Sequence, residues 1–232
     1  DFNDNSYKKF NEAAKKIGLT EKIYSLLSGE IVNKSENKAA LHPKYRSFKD
    51  DLNISKNLID AEAKAIKFFN TRWNKCKNEG YKFINIVTLG IGGSFEGPKL
   101  LLESLNDPIS TSRLHSDKVI YKFITGSDPV EFENVIKLLE PSNTFFIVSS
   151  KSFTTDETIE NFKKALLWSG DKKNFIAISA NPNEVKRYGI EDVIFFDEEI
   201  GGRYSIWSPI TQFHLFGEKR KSFLKGGHQA DI

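Results

Sequence analysis

The chain has 232 residues, 39% of them hydrophobic and 28% charged, an ordinary globular composition with room for one sizeable α/β domain and an extension. Its 34 basic and 31 acidic residues leave a net charge of +3, which gives no reason to expect nucleic acid or an anionic membrane as a partner. The single cysteine, Cys76, excludes an intrachain disulfide and suits a reducing cytosol; no apolar run approaches the ~20 residues of a membrane span, and the polar, acidic N-terminus does not read as a signal peptide.

There is no methionine, not even at position 1, and the chain stops at Gln229-Ala-Asp-Ile232. Both ends read as cut, so the expectation is a part of a longer protein.

Residues 1–80 read as a polar, helical extension. Tyr7, Phe10, Ala14 and Ile17 fall at helical spacing before Gly18, and Ile23, Leu26 and Leu27 suggest a second short helix. Ser55 to Asn78 predicts a longer one, with Leu58, Ala61, Ala65, Phe68 and Trp73 on a core-facing side. Between these helices, Asn33 to His42, with Arg46 beyond, has no period and reads as a surface loop or helix start.

From Lys82 the rhythm becomes strand, turn, helix. Strands are predicted at Phe83–Leu89, Lys118–Thr125, Thr144–Ser149, Phe175–Ala180 and Val193–Phe196. Helices are predicted at Pro98–Leu105, Val130–Leu139 and Thr155–Trp168, with a short one at Asn183–Tyr188. Near-continuous apolar strands alternating with helices imply a doubly wound parallel five-stranded sheet with helices on both faces. The organisation expected is an extension (1–80), a binding domain (81–204), and a helical start (205–232) of a connection to a second domain. Ligands of such sheets bind outside the carboxyl ends of the strands.

The polar turns sit at those ends. Ser150-Lys-Ser-Phe-Thr-Thr-Asp-Glu-Thr158 follows a buried strand and opens a helix. The helix start offers free N–H groups and the positive end of the dipole. Ser150, Ser152, Thr155 and Thr158 add hydroxyls and Lys151 a charge, making five groups suited to phosphate within nine residues. The competing explanation is a capping box, which Thr154 to Glu157 or Thr155 to Thr158 partly fits. Gly90-Ile-Gly-Gly-Ser94 is a tight turn that lets backbone approach a ligand. A dinucleotide fingerprint would want glycine where Phe95 stands, and a P-loop Gly-Lys-Ser/Thr is absent. Gly126-Ser-Asp-Pro129 reads as a turn and helix start.

In Glu199-Ile-Gly-Gly-Arg203, two glycines admit a guanidinium to a tight space; it suits phosphate or a developing oxyanion, or else a structural ion pair. His42, His115, His214 and His228 show no metal-like spacing, and neither a Gly-x-Ser-x-Gly elbow nor an evident partner for Cys76 supports nucleophilic hydrolysis. The residues alone point to a phosphorylated small metabolite.

These segments resemble the glucose-6-phosphate isomerase (phosphoglucose isomerase) family. Leu89-Gly-Ile-Gly-Gly-Ser94 with Gly97-Pro98 looks like its first sugar-phosphate loop, and Ser150 to Thr158 like its phosphate loop. Ile200-Gly-Gly-Arg-Tyr-Ser205 looks like its Gly-Gly-Arg signature. Asn33-Lys-Ser-Glu36 with Leu41-His42 and Arg46, and Gly226-Gly-His-Gln-Ala-Asp231, are similar to further family segments in the same order.

The resemblance implies a sugar isomerase (SIS) fold and interconversion of glucose 6-phosphate and fructose 6-phosphate through a cis-enediol, without metal or nucleotide. It also implies a cytosolic homodimer. Ser150, Ser152, Thr155 and Thr158 would hold the phosphate with the Lys151 backbone, Gly93 and Ser94 would contact the sugar, and Arg203 would stabilise the enediolate. Ser152 replaces the family's threonine and Asp156 its glutamine, and Trp207 to Gly226 is a few residues short. The family's catalytic glutamate and histidine are expected beyond Ile232, so this chain is expected to carry the phosphate half of a site without its base. A non-catalytic sugar-phosphate-binding module on the same fold and a bifunctional phosphoglucose/phosphomannose isomerase are the alternatives.

Overall fold

The computed structural model of the chain describes residues 3–46, 52–105, 119–211, 213–214 and 217–229. Five strands, β1 (Ile84–Leu89), β2 (Val119–Ile124), β3 (Thr144–Ser149), β4 (Phe175–Ser179) and β5 (Val193–Phe195), form one sheet in the order β2-β1-β3-β4-β5. Every pairing is parallel, as expected. Every residue of β1, β3 and β4 is buried. Strands covered on both faces read as unbroken apolar runs, which is why these three are plain in the sequence. His115, Lys118, Ala230, Asp231 and the side chain of His228 lie outside the described residues.

Helices α1 (Asp4–Lys16), α2 (Leu19–Ser28), α3 (His42–Arg46) and α4 (Leu52–Asn78) precede the sheet. α5 (Glu96–Leu105), α6 (Pro129–Ile136), α7 (Asp156–Ser169) and α8 (Pro182–Arg187) alternate with the strands, and α9 (Gly217–Gln229) follows. Side-chain alternation along β3 divides the core in two. On one face Phe145 and Ile147 join Leu58, Ala61, Ala65 and Phe68 of α4, with Trp73 packed partly buried at the edge. On the other, Phe146 and Val148 join Phe162 and Ala165 of α7 and Val185 of α8. The α4 stripe thus faces the core as predicted. The α1 stripe does not: α1 and α2 bury no residue, and Tyr7, Phe10 and Ile17 are more than half exposed. No helix among the described residues is long and apolar enough to cross a membrane.

His214 sits in the core between β1 and β2. Its Nε2 lies 3.1 Å from Thr88 Oγ1, and its ring stacks on Phe123 at 5.8 Å. Burial lowers its pKa from 6.5 to about 3, so the folded protein holds a neutral imidazole. The unfolded chain binds a proton near pH 6.5, and the folded one does not until about pH 3. Stability from this residue is therefore complete above pH 6.5 and lost progressively as pH falls towards 3, by about 1.4 kcal/mol per pH unit. Urea unfolding at pH 7, 6, 5 and 4 is expected to show this slope. His214→Gln, which keeps a polar group beside Thr88 but does not titrate, is expected to flatten it.

Candidate functional site

The order β2-β1-β3 means that the chain winds outward from β1 to β2 and then crosses back to β3, leaving a crevice at the carboxyl ends of β1 and β3. The loops that follow these strands meet there. After β1 a short 3-10 turn, Gly92–Ser94, carries the glycines. A Cβ on Gly93 would lie 2.0 Å from the Gly202 carbonyl oxygen, and one on Gly90 2.7 Å from that of Ser149. The Ser205 hydroxyl donates into the first of these joints, 2.6 Å from Gly202 O and 3.1 Å from Gly93 O.

After β3 the backbone is tied to the next strand. Ser150 N donates to Ile178 O at 3.1 Å. The Lys151 carbonyl accepts from Ala180 N at 3.1 Å and from Ser179 Oγ at 3.0 Å. The turn into α7 passes through Phe153, which holds a left-handed φ of 57° with its ring fully buried. Ser150 Oγ accepts from Phe153 N at 3.1 Å and pairs with Thr155 Oγ1 at 3.0 Å. Thr155 is the N-cap of α7, yet its side chain caps no helix N–H. The capping-box reading is therefore not realised, and the α7 N-terminus keeps its amides and dipole for another acceptor. The Gly126 turn does start a helix: Asp128 caps α6 through Val130 N, and Glu131 accepts from Thr125 N and Gly126 N at 3.0 Å.

Six of the eight predicted residues line one cavity of ≈ 160 Å³: Gly93, Ser94, Ser150, Lys151, Thr155 and Thr158. Its apolar lining is Ile91, Phe196, Ile200 and Ile210. The other two predicted residues are set apart. Ser152 is exposed, and its hydroxyl accepts from Thr154 N at 3.2 Å and Thr154 Oγ1 at 2.8 Å. Arg203 is exposed and lines an adjoining cavity of ≈ 540 Å³, which shares Lys151 and Gly202 with the first. The sequence reading missed Ser149 and Ser205, both of which line the smaller cavity. Ser149 closes an apolar strand and reads as its last residue; Ser205 lies two places past the arginine that draws the eye.

The Asn33–Arg46 segment proves to be more than a surface loop. Leu41 N donates to Glu199 O at 3.1 Å, Lys38 pairs with Glu198 at 2.6 Å, and the buried Tyr45 donates its hydroxyl to Asp197 at 2.6 Å. It thereby braces the loop that delivers Gly201, Gly202 and Arg203. His42 stacks on Tyr204 at 4.0 Å, and burial followed by the Arg46 charge lowers its pKa, so this imidazole is neutral near pH 7.

The uncapped helix amides, the hydroxyls and Lys151 are groups of the kind that suit a small anion, and Arg203 lines the adjoining cavity together with Glu36, Glu198 and Glu199. No cluster suited to a metal ion occurs among the described residues. Cys76 is buried and burial raises its thiol pKa, so it is not an activated nucleophile.

The family model described as Phosphoglucose isomerase matches residues 1–232. A glucose-6-phosphate isomerase of Legionella pneumophila (strain Lens) is 34% identical over 95% of this chain and 46% of its own length. One from Helicobacter acinonychis is 32% identical over 99% and 45%. The crystal structure of a glucose-6-phosphate isomerase from Chlamydia trachomatis superposes with a TM-score of 0.74 at 24% identity, covering 99% of this chain and 46% of that one, which bears on the fold alone. The chain thus spans about half the length of the curated relatives it matches.

The Gly93 joint leaves no room for a side chain, because the atom opposite is backbone. Gly93→Ala is expected to destabilise by about 3 kcal/mol or more in urea unfolding. Gly226→Ala, inside α9 with nothing within 4 Å of a new Cβ, is expected to be neutral or to stabilise by about 0.5–1 kcal/mol. Equal effects of the two substitutions would refute the close-packed joint.

Proposed function

The chain belongs to the phosphoglucose isomerase family, and from that premise we propose that it supplies the phosphate-holding part of a site that interconverts glucose 6-phosphate and fructose 6-phosphate. The observation that carries the reading is the cavity at the β1/β3 crevice, where Ser150, Thr155 and Thr158 meet the uncapped start of α7. Its ≈ 160 Å³ is below the usual ~300–1,000 Å³ of a whole-ligand pocket. It suits one end of a metabolite, and its donors suit a phosphoryl group.

The reaction requires a base that takes the C2 proton of the opened aldose and returns it to C1 as the hydroxyl proton passes between oxygens. Negative charge develops on those oxygens in between. In this reading Arg203 swings from the adjoining cavity to stabilise that charge, and Gly93 and Ser94 orient the sugar. Ser152 helps hold the phosphate only after giving up its bonds to Thr154. No carboxylate or imidazole lines the smaller cavity, while Glu36, His42, Glu198 and Glu199 line the adjoining one; the family resemblance assigns the base to a segment beyond Ile232. The intact enzyme is taken to be a cytosolic homodimer acting in glycolysis and gluconeogenesis, as the family resemblance implies. The small, base-free phosphate cavity is equally compatible with a second reading, a sugar-phosphate-binding module without turnover.

In the intact enzyme Arg203→Ala is expected to lower kcat by about two to three powers of ten with a much smaller change in KM. A change confined to KM would reduce Arg203 to a binding residue. Thr155→Val is expected to weaken 6-phosphogluconate, measured by calorimetric titration; an unchanged affinity would count against the phosphate assignment. Binding by the wild-type protein without isomerase activity in a coupled assay would favour the module.

A further inference from the structure

Buried hydroxyls around the strand ends are almost all in use. Thr88 meets His214, Ser150 meets Thr155, and Ser179 donates to Lys151 O while accepting from Asn181 N. Ser205, Ser208 and Thr211 each bond a backbone carbonyl. Two hydroxyls stand apart: among the described residues, Ser149 Oγ and Thr158 Oγ1 are buried without a hydrogen-bond partner. Both residues are 2% exposed, and both line the ≈ 160 Å³ cavity. Thr158 is already among the phosphate-binding candidates. Ser149 is not, and it has no evident structural reason to be polar. The four strand residues before it, Phe145 to Val148, are apolar, and Ile91, Phe196, Ile200 and Ile210 line the same cavity. Leaving a hydroxyl unpaired there is unfavourable, and an alanine of nearly the same shape would avoid it.

We propose that Ser149 is a further substrate-binding residue, whose hydroxyl donates a hydrogen bond to a phosphoryl oxygen of the bound sugar phosphate. The inference rests on the phosphate reading of this cavity. Rotation about one Cα–Cβ bond moves the hydroxyl among its staggered positions, and the backbone that carries it is held in β3. The apolar lining excludes water, which strengthens a hydrogen bond to a charged acceptor. Ser149 thus approaches the phosphoryl group from beneath the strand end, while Thr158 and the α7 amides approach from the helix side.

The test compares the full-length wild-type protein with Ser149→Ala and Thr158→Val by calorimetric titration with inorganic phosphate and with 6-phosphogluconate, alongside thermal unfolding without ligand. Ser149→Ala is expected to weaken both ligands about five- to twentyfold while leaving the unliganded melting temperature unchanged or higher. Affinities within twofold of wild type, while Thr158→Val weakens both ligands, would overturn the role of Ser149 and leave the phosphate site standing. A lower melting temperature without ligand would also overturn it, because the hydroxyl would then serve the fold. Weakening of 6-phosphogluconate alone would move the contact to the sugar and refute the phosphoryl assignment. Failure of the wild-type protein to bind either ligand would refute the cavity's phosphate reading itself, and with it the role given to Ser149.

Discussion

Two backbones meet without side chains between them where Gly93 lies against Gly202, and the site depends on that contact. Gly93 belongs to the loop after β1 and Gly202 to the loop after β5, on different sides of the crevice. Each loop alone is a short polar turn. Held together, with the Ser205 hydroxyl donating into the joint, they bring Ser94 and Gly202 to the same cavity as Thr155 and Thr158 at the start of α7. The bracing from Leu41, Lys38 and Tyr45 acts on the Gly201–Arg203 corner from behind. The main chain that carries Arg203 is thus held by these contacts, and its side chain is exposed.

The polar groups of the cavity differ in what they have left to give. Ser150 is committed to Phe153 and Thr155, so it shapes the loop as much as it offers a contact. In the proposed reading the α7 amides, Thr158 and Lys151 carry the larger part of the recognition. Asp156 and Glu157 in the first turn of α7 bring negative charge to the same end of the helix. They offset part of the attraction for an anion, and they favour the helix itself through its dipole. In the proposed reading the site combines a moderate field with many directed donors, a combination that would select for the geometry of an anion more than for charge alone.

Much of this was legible in the sequence, and the reasons are specific. Phe145 to Val148 reads as a buried parallel strand because both faces of that strand are covered. The α4 stripe reads as core because Leu58, Ala61, Ala65 and Phe68 share a helical face. The polar turns of the site lie at strand ends, where a parallel sheet places its ligands. Other features were hidden. Periodicity reveals that α1 has an apolar face, but not whether anything covers it. The link from Tyr45 to Asp197 spans 152 positions, and no local pattern announces it. Ser149 was read as the end of a strand, since a buried hydroxyl without a partner is a fact about its neighbours in space.

Phe153 takes a backbone conformation that glycine adopts most easily. Here the strain is held by a ring packed edge-on to Tyr188 at 5.7 Å, and Tyr188 in turn meets Phe162 of α7 at 5.9 Å. A glycine would free the turn from its surroundings; the phenylalanine ties it to the interior. The loop proposed to read the ligand is therefore an outcrop of the hydrophobic core, so that a change in the packing around Tyr188 and Phe162 would reach it. On the proposed reading, a substitution at those interior positions would bear on the ligand as well as on the fold.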